Sequence, residues 1–125
     1  MYITETSAKI YKTKEDMVLK EKESQIQRAV LEYLSYRPGF WFRSNTGAVA
    51  AEYRGKKRFI RFGVKGAADI FGIIPPEGRF VAIEVKRPGG GKQTDEQKQF
   101  QEKVEKNGGL YFLVYGVQDL IERHL

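Results

Sequence analysis

The segment Arg79–Pro88, RFVAIEVKRP, constrains the fold more than any other part of this chain. It alternates as a β-strand does, with Val81, Ile83 and Val85 on one face and Phe80, Ala82, Glu84 and Lys86 on the other. The second face begins apolar and ends charged. A strand that carries a carboxylate and an ammonium among buried valines and isoleucine tolerates them only if the charges are paired, bound to a cation or turned to solvent at the strand end.

The flanking sequence supplies the rest of a mixed sheet covered by helices. Ile26, Ala29, Val30, Tyr33 and Leu34 recur at helical spacing and Pro38-Gly39 ends them, which predicts an amphipathic helix from about Lys20 to Tyr36. FWFRSNT (40–46) reads as a strand, and the small residues after Gly47 with YRGKKRF as a basic hairpin turning at Gly55. DIFGII (69–74) reads as a short strand closed by Pro75-Pro76 and Gly78. Thr94-Asp-Glu-Gln97 has capping-box form, with Thr94 as N-cap and Gln97 at the third helical position, and Phe100 and Val104 give that helix its apolar stripe. LYFLVYG (110–116) then predicts a strand and 117–124 a last helix. The expected fold class is α/β, an αβββαβ core in one domain spanning 21–125, after an arm, 1–20, whose role is unreadable.

Charge points to a partner. Residues 53–92 hold ten Lys or Arg against three acids, a net +7, while the whole chain is +6, so the remainder is close to neutral at −1. A positive excess confined to one third of a chain suits a polyanion, because each neutralised phosphate releases counterions. A solvated basic hairpin without a ligand is the bland alternative. The absence of cysteine removes disulfide and thiolate-zinc chemistry, and an N-terminus without a signal-like apolar centre leads us to expect a cytoplasmic protein.

Glu84 and Lys86 leave one strand face about 7 Å apart along the backbone. Glu-x-Lys alone is an ordinary tripeptide. Asp69 gives it meaning: if 69–74 and 79–88 pair antiparallel through the Pro75–Gly78 turn, two carboxylates converge. Such oxygen ligands suit Mg²⁺ or Mn²⁺, which keep several waters and take a substrate phosphate, and Lys86 is placed to orient water or offset developing charge. Glu23 lies on the buried stripe of the first helix, three before Ile26, and is expected to join the site or to compensate the helix dipole. Gln97 either only closes its capping box or also faces the sheet in register with Phe100 and Val104. His124 reads as a surface residue. Arg54, Lys56, Lys57, Arg58, Arg61 and Lys65 are expected to grip phosphates, with Arg43 and Asn45 reaching DNA from the preceding strand, while Tyr53, Phe59 and Phe62 are expected to pack rather than stack on bases.

Glu23 before IQRAVLEYL, WFRSNTGA, RFIRFGVKGAADIFG with Asp69, AIEVKRPGG with Glu84 and Lys86, and TDEQ with Gln97 together resemble the VRR-NUC (virus-type replication-repair nuclease) branch of the PD-(D/E)XK nucleases, from about Glu23 to Leu120. Ala68 stands where the superfamily pattern has proline. The resemblance implies a restriction-endonuclease-like fold, with Asp69, Glu84 and the Val85 carbonyl as metal ligands, Lys86 as catalytic lysine, and Glu23 and Gln97 as supporting residues. It further implies a Mg²⁺- or Mn²⁺-dependent DNA endonuclease. Standalone, phage-type members of this size resemble homodimeric enzymes of branched DNA such as four-way (Holliday) junctions, and fused relatives cut flaps and repair intermediates. A DNA-binding module of nuclease fold without catalysis, and a restriction-type endonuclease, are the competing readings.

Overall fold

The computed structural model of the chain describes residues 13–44 and 47–125, with the side chains of 15–21, 47–49, 51 and 59–62 left out of the description. Its elements are α1 (Lys14–Ser35), β1 (Phe40–Arg43), β2 (Gly47–Tyr53), β3 (Lys56–Phe62), β4 (Ile70–Ile74), β5 (Arg79–Val85), α2 (Asp95–Lys106), β6 (Leu110–Val114) and α3 (Val117–Glu122).

Helix α1 starts at Lys14, earlier than its apolar periodicity suggests. The additional turns are rich in Lys, Glu, Met and Leu, residues whose helix propensity needs no apolar periodicity to be expressed. The last part of the segment read as an arm is therefore continuous with the helix. Further on, Val30 and Leu34 are fully buried, with Ile26, Leu31 and Tyr33 beside them, whereas Ala29 is exposed. Backbone bonds from Tyr36 to Tyr33 and from Arg37 to Leu34 close the helix just before Pro38-Gly39.

Strands β1, β4, β5 and β6 form one mixed sheet in that order, antiparallel except for the parallel β5–β6 pair. A parallel neighbour demands a crossover, and α2 supplies it. Alternation along β5 sorts the core into two layers as expected. Val81, Ile83 and Val85, with Ile70 and Val114, meet Val30 and Leu34 of α1 and Leu120 of α3. Ala82 lies in the other layer with Ala68, Val104 and Tyr111, against Phe71 and Phe100. The rings of Phe71 and Phe100 stack 6.0 Å apart, joining β4 to α2. Each fully buried aliphatic side chain contributes roughly 1.5–3 kcal/mol, so central β5 is the element whose position is least free to change. This is the expected α/β arrangement, a mixed sheet flanked by helices with an αβββαβ core.

Strands β2 and β3 stand apart as a two-stranded antiparallel hairpin inserted between β1 and β4. Its turn places Arg54 and Gly55 at φ 51 and 75, the left-handed pair that matches strand twist. Tyr53 at the hairpin tip is 64% exposed, contrary to the packing expected for the hairpin aromatics. The hairpin forms its own two-stranded sheet, and the Arg54 guanidinium lies over the ring at 5.3 Å. Phe59 and Phe62 have side chains outside the description. Among the described residues no helix is long and apolar enough to cross a membrane.

Candidate active site

The β4–β5 register pairs Ile70 with Ile83, so the next pair outward is Asp69 opposite Glu84. Asp69 is fixed from two sides. Its Oδ2 accepts the Val85 N–H at 2.7 Å, and its backbone carbonyl accepts the Ser44 N–H at 2.8 Å, which prolongs the β1–β4 ladder. On the other side of β5, the Lys86 N–H donates to the Val114 carbonyl at 2.9 Å, so the strand keeps its direction through the site. The two carboxylates therefore meet where antiparallel pairing requires.

Glu84 is buried, at 4% exposure, because the face it shares with Ala82 is covered by α2. Its Oε1 accepts from Gln97 Nε2 at 3.0 Å. The Gln97 Oε1 accepts the Thr94 N–H at 2.8 Å while the Thr94 hydroxyl accepts the Gln97 N–H at 3.2 Å, a complete capping box. The two sequence readings of Gln97 are thus both realised by one carboxamide.

Electrostatics follow from this enclosure. Burial, and then the charge of Asp69 beside it, pushes the Glu84 carboxyl up to about 9; Lys86 offsets part of this, while a hydrogen bond with Asp69 and the charge of half-buried Glu23 add to it. This enclosure favours the protonated form of Glu84 at neutral pH unless a cation takes the place of the proton. The other oxygen of Glu84, Oε2, is buried and has no hydrogen-bond partner. A buried acceptor left unmatched costs roughly 1–3 kcal/mol, an expense that a cation beside it removes. Two carboxylates fit a hard, oxygen-preferring ion such as Mg²⁺ or Mn²⁺. Among the described residues no three His, Cys, Asp or Glu side chains gather into a metal-binding group, so Glu23 stands near the pair as a charge, and water or substrate oxygens would complete the coordination.

The expected phosphate-binding residues are spread around this centre. Arg54, Lys56, Lys57 and Arg58 are exposed on the hairpin. Lys65 Nζ lies 3.3 Å from Glu96 in the first turn of α2, and beside it Gly66 approaches so closely that a Cβ there would fall 2.3 Å from the Glu96 carbonyl oxygen. The segment that joins β3 to β4 is thereby fastened to the helix that carries Gln97. Arg43 Nη2 donates to Gln27 of α1 at 2.9 Å. Asn45 and the Arg61 side chain lie outside the described residues, and His124 is exposed.

One polar group escaped sequence reading. Gln93 Nε2 donates to Gln101 Oε1 at 2.9 Å and to the Tyr111 hydroxyl at 3.2 Å, tying the segment before α2 to the helix and to β6. Burial pushes the Tyr111 phenol up to about 12, against the Gln93 hydrogen bond, and the charges of Glu84 and Asp69 act in the same direction as burial. Tyr111 pairs with Ala82 across the parallel ladder. Only knowledge of that ladder, which no local pattern encodes, would have placed it there.

In comparison with known proteins, residues 21–118 match the VRR-NUC domain family model. No curated protein matches the chain.

Proposed function

The chain belongs to the VRR-NUC domain family, a nuclease family of the restriction-endonuclease-like superfamily, and from that premise we propose that it is a divalent-metal-dependent endonuclease selective for branched DNA. The reaction is hydrolysis of a backbone phosphodiester: water adds to phosphorus, one P–O bond breaks, and a phosphate monoester and a hydroxyl result. The observation that supports this reading most is the meeting of Asp69 and Glu84 beside Lys86, with Glu84 Oε2 buried and unmatched.

Asp69, Glu84 and the Val85 carbonyl would hold the ion. When bound, Mg²⁺ or Mn²⁺ supplies Lewis-acid polarisation of the phosphate and makes water more acidic. The Val85 N–H holds Asp69 Oδ2 and Gln97 Nε2 holds Glu84 Oε1, so hydrogen bonds keep both carboxylates aimed. Lys86 orients the attacking water or stabilises charge as it develops on the phosphate. Glu23 adds negative charge that favours cation capture. The hairpin cations Arg54, Lys56, Lys57, Arg58 and Arg61, together with Lys65, Arg43 and Asn45, hold the DNA backbone. A homodimer acting in the cytoplasm would match the two-fold symmetry of a four-way junction.

The test is one assay matrix. Labelled four-way junction, flap, single strand and linear duplex are incubated with Mg²⁺, Mn²⁺ or chelator, with wild type beside Glu84→Ala. Metal-dependent cleavage, fastest on the junction or flap and lost in the variant, is expected. A protein that cuts linear duplex as fast as a junction, or is monomeric at working concentration, refutes the branched-DNA and dimer parts; no cleavage under any metal refutes the enzyme.

A further inference from the structure

Between Lys86 and the N-cap Thr94 runs a loop, Arg87–Gln93 (RPGGGKQ), that the proposed chemistry leaves without a role. Both its ends are fixed at the same carboxylate. It leaves β5 two residues after Glu84 and returns to α2 three residues before its own sequence reaches the Gln97 side chain, which donates to Glu84 Oε1. The loop therefore begins and ends in segments that flank the buried Glu84.

The loop is anchored rather than loosely strung. Gln93 holds its C-terminal end to Gln101 and Tyr111, and a turn in which the Gly90 N–H donates to the Arg87 carbonyl at 2.8 Å shapes its beginning. Gly90 is required there, because a Cβ would come within 2.8 Å of Arg87. Gly91 has no such reason. Its backbone lies outside the left-handed region, and a Cβ on it would meet nothing within 4 Å. Fold alone would accept a larger residue, so what the missing side chain provides is access to exposed backbone from outside. Arg87 and exposed Lys92 bracket that opening with two cations.

We infer that Gly91 and Lys92 form a second phosphate-binding site, which takes a backbone phosphate of the DNA next to the one being cut. The chemistry is that of close backbone approach: an amide without a neighbouring side chain admits an anion, and the lysine supplies its counter-charge. This inference rests on the nuclease reading for the identity of the polyanion, and it adds a fixed point on the loop between β5 and α2, apart from the hairpin cations. Two phosphates held on one strand define its direction through the site, whereas hairpin cations alone do not.

The experiment measures binding separately from cutting. Wild type, Gly91→Val and Lys92→Ala are titrated against labelled four-way junction and linear duplex in chelator over a range of salt, and the same proteins are assayed for cleavage with Mg²⁺. Thermal melting serves as the folding control, and all three proteins are expected to melt together. Each variant should bind about tenfold more weakly, the loss of one charge-assisted phosphate contact. Lys92→Ala should also lower the slope of log K against log salt by about 0.9. Variants that bind both DNAs like wild type at every salt overturn the inference, even if the enzyme cuts. If wild type binds DNA and the variants bind less, but nothing is cut with any metal, the loop site stands as a binding site and the endonuclease reading falls. If wild type neither binds nor cuts, both fall.

Discussion

The carboxamide of Gln97 closes the N-terminus of α2 with its oxygen and holds Glu84 with its nitrogen. One side chain thus joins a helix cap to the buried carboxyl of Glu84.

Substitutions at Gln97 should separate these two duties. Gln97→Glu keeps an oxygen for the Thr94 N–H but sets a second carboxylate against buried Glu84, while Gln97→Ala removes both bonds. The alanine variant should lose about 1 kcal/mol of stability, the usual worth of a cap, read from urea unfolding. The glutamate variant should retain more of the helix at low pH and need less Mg²⁺ for half-maximal cleavage, because the added negative charge favours cation capture. Equal Mg²⁺ requirements in Gln97→Glu and wild type would separate the cap from the site.

The pH dependence of metal-free stability follows from Glu84. Its carboxyl titrates near 4.5 when unfolded and near 9 in the folded protein, because burial and Asp69 oppose its charge. Between these values the native state binds the additional proton, so this contribution is complete below the lower pKa and is lost as pH rises toward the upper one. In chelator, melting temperature should therefore fall across that window. Saturating Mg²⁺ should flatten the decline, since a bound cation substitutes for the proton and stabilises by mass action. Glu84→Gln should show little of the slope and should melt above metal-free wild type at the alkaline end. A wild-type curve that rises with pH in chelator would contradict this account.

The parts of this arrangement that depend on short-range chemistry were readable in the sequence. The alternation of Val81, Ile83 and Val85 against Ala82 and Glu84 places the core layers, the Thr94 and Gln97 spacing gives the cap, and the Pro75–Gly78 turn makes Asp69 meet Glu84. What depends on distant pairing was not. Tyr111 reaches the site only because β6 lies parallel to β5, and Gln93 only because Tyr111 and Gln101 meet it there. The early start of α1 was hidden because the sequence of its first turns carries no sustained apolar period. Exposure of Tyr53 was hidden because alternation in β2 and β3 fixes which side chains share a face, but not whether anything covers that face.

Lys86 is expected to act twice. Its ammonium stabilises charge in the proposed reaction, and it also lowers the proton affinity of Glu84. Lys86→Ala should reduce the maximal cleavage rate by about 10²–10³-fold, comparable to removal of one preorganised donor, with junction binding retained. It should also move the rise of residual activity to higher pH at fixed Mg²⁺, because the proton then competes better with the ion. Lys86→Met provides a control of similar length. A lower rate with an unmoved pH profile would leave only the first role.

Gly72 gives a prediction about stability alone. It sits opposite Trp41 in the β1–β4 ladder, and a Cβ there would fall 2.2 Å from the indole ring. The ring cannot retreat freely, since its Nε1 donates to the Pro38 carbonyl at 3.3 Å and its body packs on the α1 layer. Gly72→Ala should cost about 1–3 kcal/mol through overpacking, measured by urea unfolding, while Trp41→Leu in the same background should recover part of that loss. Failure of the second change to recover any stability would place the strain elsewhere.

Gly66 ties the segment before Asp69 to the first turn of α2, and its substitution should affect both. The residue has φ +78 and lies against the Glu96 backbone, so alanine there adds left-handed strain of roughly 1–2 kcal/mol to a direct steric conflict. To relieve that conflict, the first turn of α2 must move away from the segment that leads into Asp69. Gln97 sits in that turn, so its bond to Glu84 should lengthen or break. Gly66→Ala is therefore expected to lower thermal stability and, at temperatures where it remains folded, to reduce the maximal cleavage rate more than junction binding. Glu96→Ala removes the Lys65 bridge while leaving the glycine contact, and as an exposed pair it should cost about 0–1 kcal/mol with cleavage nearly unchanged. If Glu96→Ala impairs cleavage as much as Gly66→Ala, the ion pair rather than the backbone apposition positions the helix.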